Sequence, residues 1–304
     1  MAKWLELSIR TTPEYVEPLV ELFRRHGGGS VVVQEEGDWD PDNDPNALGP
    51  PTSVEVKTYL PMDATVRSRR EMIDIGVRLV SLLQPMGPLQ ERVLEEQEWE
   101  TAWKAHFTLM RIGRRLVIKP TWQEYTPTAG EAVVDLDPGM AFGTGHHPTT
   151  RMCLEFLEER VTPGARVLDV GTGSGILAIA AAKLGAASVL GVDIDPAAAT
   201  VAQVNARQNG VAGIVKAIAG SLPNADVARH GYNIVVANIT AKTIVDVAHP
   251  LAQAVAEGGV VVVSGILRDR EPEVEEAFVK ESLKVIESRH DGDWVALVAE
   301  LAGR

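Results

Sequence analysis

The sequence predicts a doubly wound, mostly parallel α/β domain preceded by a smaller α+β unit. Apolar strand-like runs alternate with helical segments from Pro148 onward, the pattern of a parallel sheet with crossover helices. A glycine-rich turn at residues 171–175 joins one such strand to an alanine-rich helix. The composition also changes along the chain. The first 100 residues carry nineteen acidic and ten basic side chains, and five of the six tryptophans lie at or before Trp122. The later part is rich in Ala, Val and Gly. At 304 residues the chain has room for two domains of roughly 150 residues. With 45% apolar and 23% charged residues it reads as an ordinary globular protein, which excludes a disordered or collagen-like chain.

Taken in order, Trp4 to Arg10 alternates like a half-buried strand. Pro13 to His26 has helical spacing through Val16, Leu19, Val20 and Phe23, and Gly27-Gly28-Gly29 stops it. A β-branched run follows at Ser30 to Gln34, then an Asp/Asn/Gly/Pro loop over Glu35 to Pro51. Ser53 to Leu60 reads as a strand and Asp63 to Leu83 as a helix. This β-α-β-β-α order resembles a ferredoxin-like module without a clear last strand, expected over residues 1–86. Pro85-Met86-Gly87-Pro88 marks a boundary. Leu89 to Phe107 reads as a long polar helix with Trp99 and Trp103 at i, i+4, giving a linker helix over 87–108.

Residues 109–304 form the larger domain. Short strands are expected at 115–119 and 132–136. Seven more fall near 166–170, 188–193, 214–218, 232–237, 259–264, 283–288 and 294–299. Helices are expected at about 148–160, 175–184, 196–208, 241–256 and 271–281.

The run Arg166-Val167-Leu168-Asp169-Val170-Gly171-Thr172-Gly173-Ser174-Gly175 is the strongest chemical signal. Without Cβ atoms the turn can be tight, and a ligand can lie against its backbone. A dinucleotide fingerprint needs G-x-G-x-x-G, whereas the sixth position here is Ile176, and no Gly-Lys-Ser/Thr follows for a phosphate loop. Asp193, 22 residues after Gly171, ends the next strand, where a carboxylate can accept both hydroxyls of a ribose. Each such bond is worth roughly 1.5–3 kcal/mol. Asp195 reads as the N-cap of the following helix, and Asp169 as a buried carboxylate that shapes the turn. Asn238 closes the fourth strand, either facing the reacting centre or capping a helix.

Upstream, Gly139, Gly143 and Gly145 surround Phe142 in a loop able to bend over a ligand. The adjacent His146 and His147 point in different directions and lack a spaced third partner, so no metal site is expected. Asp38, Asp40, Asp42 and Asp44 mimic a calcium loop only superficially, since Asn43 replaces the required glycine and Gly49 the closing glutamate. The net charge of −13 argues against a grip on phosphate backbones. Cys153, the single cysteine, cannot form an internal disulfide, and no apolar leader or membrane-length segment is evident. A cytoplasmic monomer without membrane contact is expected.

Asp169 to Gly175 followed by Asp193 resembles the S-adenosylmethionine site of class I methyltransferases. The run Asp137-Pro138-Gly139-Met140-Ala141-Phe142-Gly143-Thr144-Gly145, with His147-Pro148-Thr149-Thr150 and Asn238-Ile239, resembles more specifically the PrmA-type ribosomal protein methyltransferases. The likeness extends over nearly the whole chain. It implies a Rossmann-like class I domain, S-adenosyl-L-methionine as cofactor, and donor-binding residues at Thr150, Gly171, Asp193 and Asn238, to which the turn adds Gly173. It also implies that the first module reads ribosomal protein L11. Two departures stand out. His146 replaces a usual threonine, and Thr240-Ala241-Lys242-Thr243 replaces a usual Leu-Ala with a nearby Pro-Leu, beside the acceptor pocket.

The resulting expectation is a protein N-methyltransferase acting on lysine side chains and the N-terminal amine of a basic ribosomal protein. Phe142 and Asn238 would shape its acceptor site, with no dedicated base. A related enzyme with another protein or small-molecule acceptor is the alternative. A nucleic-acid amine methyltransferase is disfavoured, because Asn238-Ile239-Thr240 lacks the Pro-Pro-aromatic that stacks a flipped base. A silent donor-binding scaffold is disfavoured by intact Gly171, Asp193 and Asn238.

Overall fold

The computed structural model describes residues 3–12, 15–27, 31–36, 53–83, 85–95, 109–137 and 147–302. The chain divides into two compact units, residues 1–108 and 109–304. In the first, strands β1 (Lys3–Thr11), β2 (Val31–Glu36), β3 (Ser53–Pro61) and β4 (Gln90–Glu95) form an antiparallel sheet in the order β2-β3-β1-β4. Helices α1 (Val16–His26) and α2 (Val66–Ser81) cover one face. Leu19, Phe23, Ile73 and Val77 meet Leu7, Ile9, Val54, Val56 and Leu60 there, the inward positions of period-2 strands.

β4 corrects the sequence reading. The helix expected over 87–108 begins instead as a strand, with Trp4 opposite Leu94 and Glu6 opposite Arg92. The free edge of β1 supplies backbone partners for the whole segment. Burial of Leu94 adds to them, and a polar run with weak helical periodicity has little to set against that. Residues 96–108, including Trp99 and Trp103, lie outside the described residues, as does the acidic loop with Asp38, Asp40, Asp42 and Asp44.

The second unit is built on a seven-stranded sheet. Its strands are β8 (Arg166–Val170), β9 (Ser188–Asp193), β10 (Val215–Ala219), β11 (Tyr232–Asn238), β12 (Val255–Leu267), β13 (Leu283–Asp291) and β14 (Trp294–Leu301). Their order is β10-β9-β8-β11-β12-β14-β13. All neighbours from β10 to β12 are parallel, and β14 runs antiparallel between β12 and β13. Both faces are buried. Val167, Ile234 and Val236 point to the layer of α3 (Pro148–Arg160), α4 (Ile176–Lys183) and α5 (Pro196–Gln208). Leu168, Val235 and Ala237 point to α6 (Ala241–Asp246), α7 (Ala248–Ala254) and α8 (Glu271–Lys280). Chain direction across the sheet reverses between β8 and β11, so a crevice opens beyond their carboxyl ends.

A three-stranded annex of β5 (Met110–Ile112), β6 (Leu116–Lys119) and β7 (Ala132–Asp135) precedes this sheet. β5 escapes a sequence reading because three residues carry no periodicity. The helix expected at 241–256 is two short ones: Val247 leaves helical geometry, and Pro250 has neither an N–H nor room for the carbonyl of Asp246. Among the described residues no helix is long and apolar enough to cross a membrane.

Candidate active site

β8 delivers the chain to the crevice at Val170, and the next five residues form the turn. Gly171, Gly173 and Gly175 have φ of +76°, +53° and +83°, a region where a Cβ is strained. Gly175 also lets α4 approach α5: a Cβ there would sit 3.0 Å from that of Ala202. Asn205 of α5 donates from Nδ2 to the Ser174 carbonyl (2.8 Å), fixing the turn from behind.

The neighbouring strand β9 places Asp193 against this turn. Its Oδ2 accepts from the Gly173 N–H (2.8 Å) and its Oδ1 from the Asp195 N–H (3.0 Å). Each carboxylate oxygen keeps a further lone pair, so the group is oriented and still able to accept from a ligand's hydroxyls. Asp195 caps α5 by accepting from the Ala197 N–H (2.8 Å), as its sequence position predicts. Behind the turn, Asp169 is buried and accepts from the Thr172 hydroxyl through Oδ2 (2.7 Å). Its Oδ1 has no hydrogen-bond partner among the described residues. Burial raises this carboxyl to about 7, with the Thr172 bond opposing.

On the other side of the crevice, β11 ends at Asn238 and α3 begins at Pro148. Asn238 donates from Nδ2 to the hydroxyl of buried Thr150 (3.0 Å), joining two residues 88 positions apart. The first turn of α3 is held by His147, whose ring Nδ1 meets the Thr149 hydroxyl (2.8 Å) and accepts from the Thr149 N–H (3.4 Å). His147 stands edge-on to Trp294, ring centroids 4.8 Å apart. Burial pulls its imidazole down to about 4, against the pull of Asp291.

Gly171, Gly173 and Asp193 therefore form one cluster, and Thr150 and Asn238 another. Ile239 lies between them: a Cβ on Gly171 would fall 2.4 Å from its Cγ2. Phe142, together with residues 138–146, lies outside the described residues. The sequence reading passed over two positions. Ile194, 81% exposed, puts a bare apolar side chain beside Asp193 at the strand end. Gly220, just past β10, donates to the Asp193 carbonyl (2.7 Å) at the same strand end. An isoleucine set between two aspartates was the available signal for the first.

A carboxylate with lone pairs to spare can accept from hydroxyls, and an exposed isoleucine can take an apolar face. An unbranched turn, an oriented carboxylate and an exposed isoleucine line one half, while a fixed amide lines the other. The family model for ribosomal protein L11 methyltransferase (PrmA) matches residues 3–302. The ribosomal protein L11 methyltransferase of Chloroflexus aurantiacus is 42% identical, covering 97% of both chains. That of Symbiobacterium thermophilum is 43% identical, covering 98% of this chain and 99% of its own. Among solved structures, a ribosomal protein L11 methylase from Lactobacillus delbrueckii subsp. bulgaricus is 35% identical, with a TM-score of 0.60. It is matched over its full length and over 65% of this chain. A family model matched over residues 3–302, and relatives this similar over nearly their whole length, place the chain in the ribosomal protein L11 methyltransferase family.

Proposed function

We propose that this protein transfers methyl groups from S-adenosyl-L-methionine to amines of ribosomal protein L11, on lysine side chains and at the N-terminus. The observation that carries the reading is the pairing of Gly173 with Asp193 across from the pairing of Thr150 with Asn238, in a chain of this family.

S-adenosylmethionine, when bound, supplies an electrophilic methyl on a sulfonium, open to in-line attack by an amine. Gly171 and Gly173 would give it a backbone to lie against, Asp193 would accept its ribose hydroxyls, and the exposed Ile194 would offer an apolar contact. Thr150 completes the donor set and fixes Asn238. With Nδ2 committed to Thr150, Asn238 keeps Oδ1 to accept an N–H of the incoming amine. Phe142, outside the described residues, is assigned to the acceptor site from the family resemblance of its sequence run alone. An ammonium has no lone pair, and an ordinary lysine titrates near 10.4, so attack requires the proton to leave first. Removal from water favours the neutral amine, and no dedicated base is assigned. Positioning within about 3–3.5 Å and exclusion of water carry the rate.

The first unit we read as a ferredoxin-like module that recognises the substrate. Two helices on one face of an antiparallel sheet ordered β2-β3-β1-β4 support this. The acidic balance of residues 1–100 suits a basic protein, and we read the enzyme as a cytoplasmic monomer without nucleic-acid or membrane contacts. The test incubates the purified protein with labelled donor and L11. Label on L11, located by mass spectrometry on lysines and the N-terminus, is expected. A protein that binds the donor and leaves L11 unlabelled overturns the assignment.

A further inference from the structure

We propose that Ile239 is a positioning residue, a spacer that sets the distance between methyl donor and acceptor amine. The inference rests on the donor and acceptor halves read above. Ile239 follows Asn238 directly, and two glycines from different parts of the chain make room for it. On the donor side, a Cβ at Gly171 would fall 2.4 Å from the Ile239 Cγ2. On the other side, a Cβ at Gly265 would fall 2.2 Å from the Ile239 carbonyl oxygen and 2.8 Å from its carbonyl carbon, atoms of backbone that cannot swing aside.

Gly265 has φ of +86° and sits where the register of β12 against β14 slips between Ser264 and Ile266. Such a bulge re-aims a strand end, and bulges concentrate beside active sites. The strand on the acceptor side of β11 thus bends where the Ile239 peptide needs space. The residue just before the bulge completes the grip: Ser264 pairs with Asn238 in the β11–β12 register, and its carbonyl accepts from the Ile239 N–H (3.1 Å). The Ile239 side chain is therefore wedged against the donor turn, while its backbone is fixed on β12 and is continuous with Asn238. The pairing of β8 with β11 stops at Val170 and Ala237, so beyond it the wedge is what spaces Asn238 from Gly171 in this proposal. A displacement near 1 Å in a reacting pair costs about 100-fold in rate.

The test compares Ile239→Ala and Ile239→Val in the full chain, measuring kcat and KM with L11, donor affinity by calorimetry, and Tm. Alanine removes Cγ2 and valine keeps it. For Ile239→Ala we expect kcat to fall about 10–100-fold, with KM and donor affinity within about threefold of the parent. Ile239→Val should restore kcat to within about threefold. Gly265→Ala should slow turnover like Ile239→Ala; if it fails to fold, the Ile239 pair decides. Parent-like kcat in Ile239→Ala overturns the spacer, as do equal losses in both variants or a loss that tracks the unfolded fraction. Asp193→Ala, run alongside, separates the two readings. Full donor affinity in that variant overturns the donor site itself, whatever Ile239 does. Lost affinity there with parent-like turnover in Ile239→Ala overturns the spacer alone.

Discussion

Asp169 and His147 titrate abnormally for the same reason, burial, and with opposite consequences for stability. The Asp169 carboxyl is raised to about 7, so between roughly pH 4 and 7 the folded state holds a proton that the unfolded chain releases. Its favourable contribution is complete below the unfolded value and is lost as pH climbs through 7. For His147, lowered to about 4, the folded ring stays neutral while the unfolded chain binds a proton below about 6.5. That contribution is present above 6.5 and is lost as pH falls towards 4. Because the slopes oppose each other, subtraction between variants separates them. Asp169→Asn should gain stability relative to the parent as pH rises from 5 to 8, by an amount on the order of 1–3 kcal/mol. Urea unfolding at each pH measures this, and parallel curves for the two proteins would exclude the assignment. Cys153 gives a simpler check. It is fully buried and its thiol is pushed up by burial, so thiol reagents should find no group in the native protein and one after unfolding.

Helix α3 shows what an element contributes beyond its own length. Its carboxyl-terminal half carries Glu158, whose carboxylate accepts the backbone N–H groups of Arg114 (2.8 Å), Arg115 and Leu116 (3.1 Å), and so ties the β5–β6 turn to the helix. Gly113 in that turn has φ of +58° and leaves no room for a Cβ beside the carboxylate. Glu158→Ala leaves three donors to find other partners and should cost about 1–3 kcal/mol, read as a fall in Tm at unchanged donor affinity. Unchanged Tm would mean that solvent replaces the clamp. This bond was not legible in the sequence, because its partners lie more than 40 residues apart. What was legible was local. The central strands β8, β9 and β11 are largely apolar on both faces and end at or just before a glycine, aspartate or asparagine, so their bounds, to within a residue, and the closeness of the glycine turn to Asp193 followed from spacing. β4 did not, because its polar residues pair along the edge of another strand. The bond of Thr150 to Asn238 depends on the assembled sheet, and the seat of Ile239 on a bulge in a different strand. Neither leaves a periodic trace.

At the scale of the molecule, the chain divides into residues 1–108 and 109–304, and the proposed function gives each unit its own physical task. Both large apolar clusters of the second unit, on either face of its sheet, draw on residues from Ile112 onward, so this unit contains its own core. Gly171, Gly173, Asp193, Thr150 and Asn238 all belong to it. The first 100 residues hold a disproportionate share of the net charge of −13, and an acidic surface raises the encounter rate with a basic protein at low salt. A fragment of residues 109–304 should therefore bind S-adenosyl-L-methionine with affinity within about threefold of the whole chain, since every residue proposed to hold the donor lies within it. Its transfer of label to L11 should fall through a raised KM. In the full protein KM should rise between about 50 and 300 mM salt, as screening shortens the reach of the acidic unit, and the fragment should lose that dependence. Calorimetry and initial-rate measurements on both proteins decide the matter. A fragment that methylates L11 at the full-length rate, with the same salt response, would remove substrate recognition from the first unit. A folded fragment without donor affinity would show that the donor site needs residues before 109.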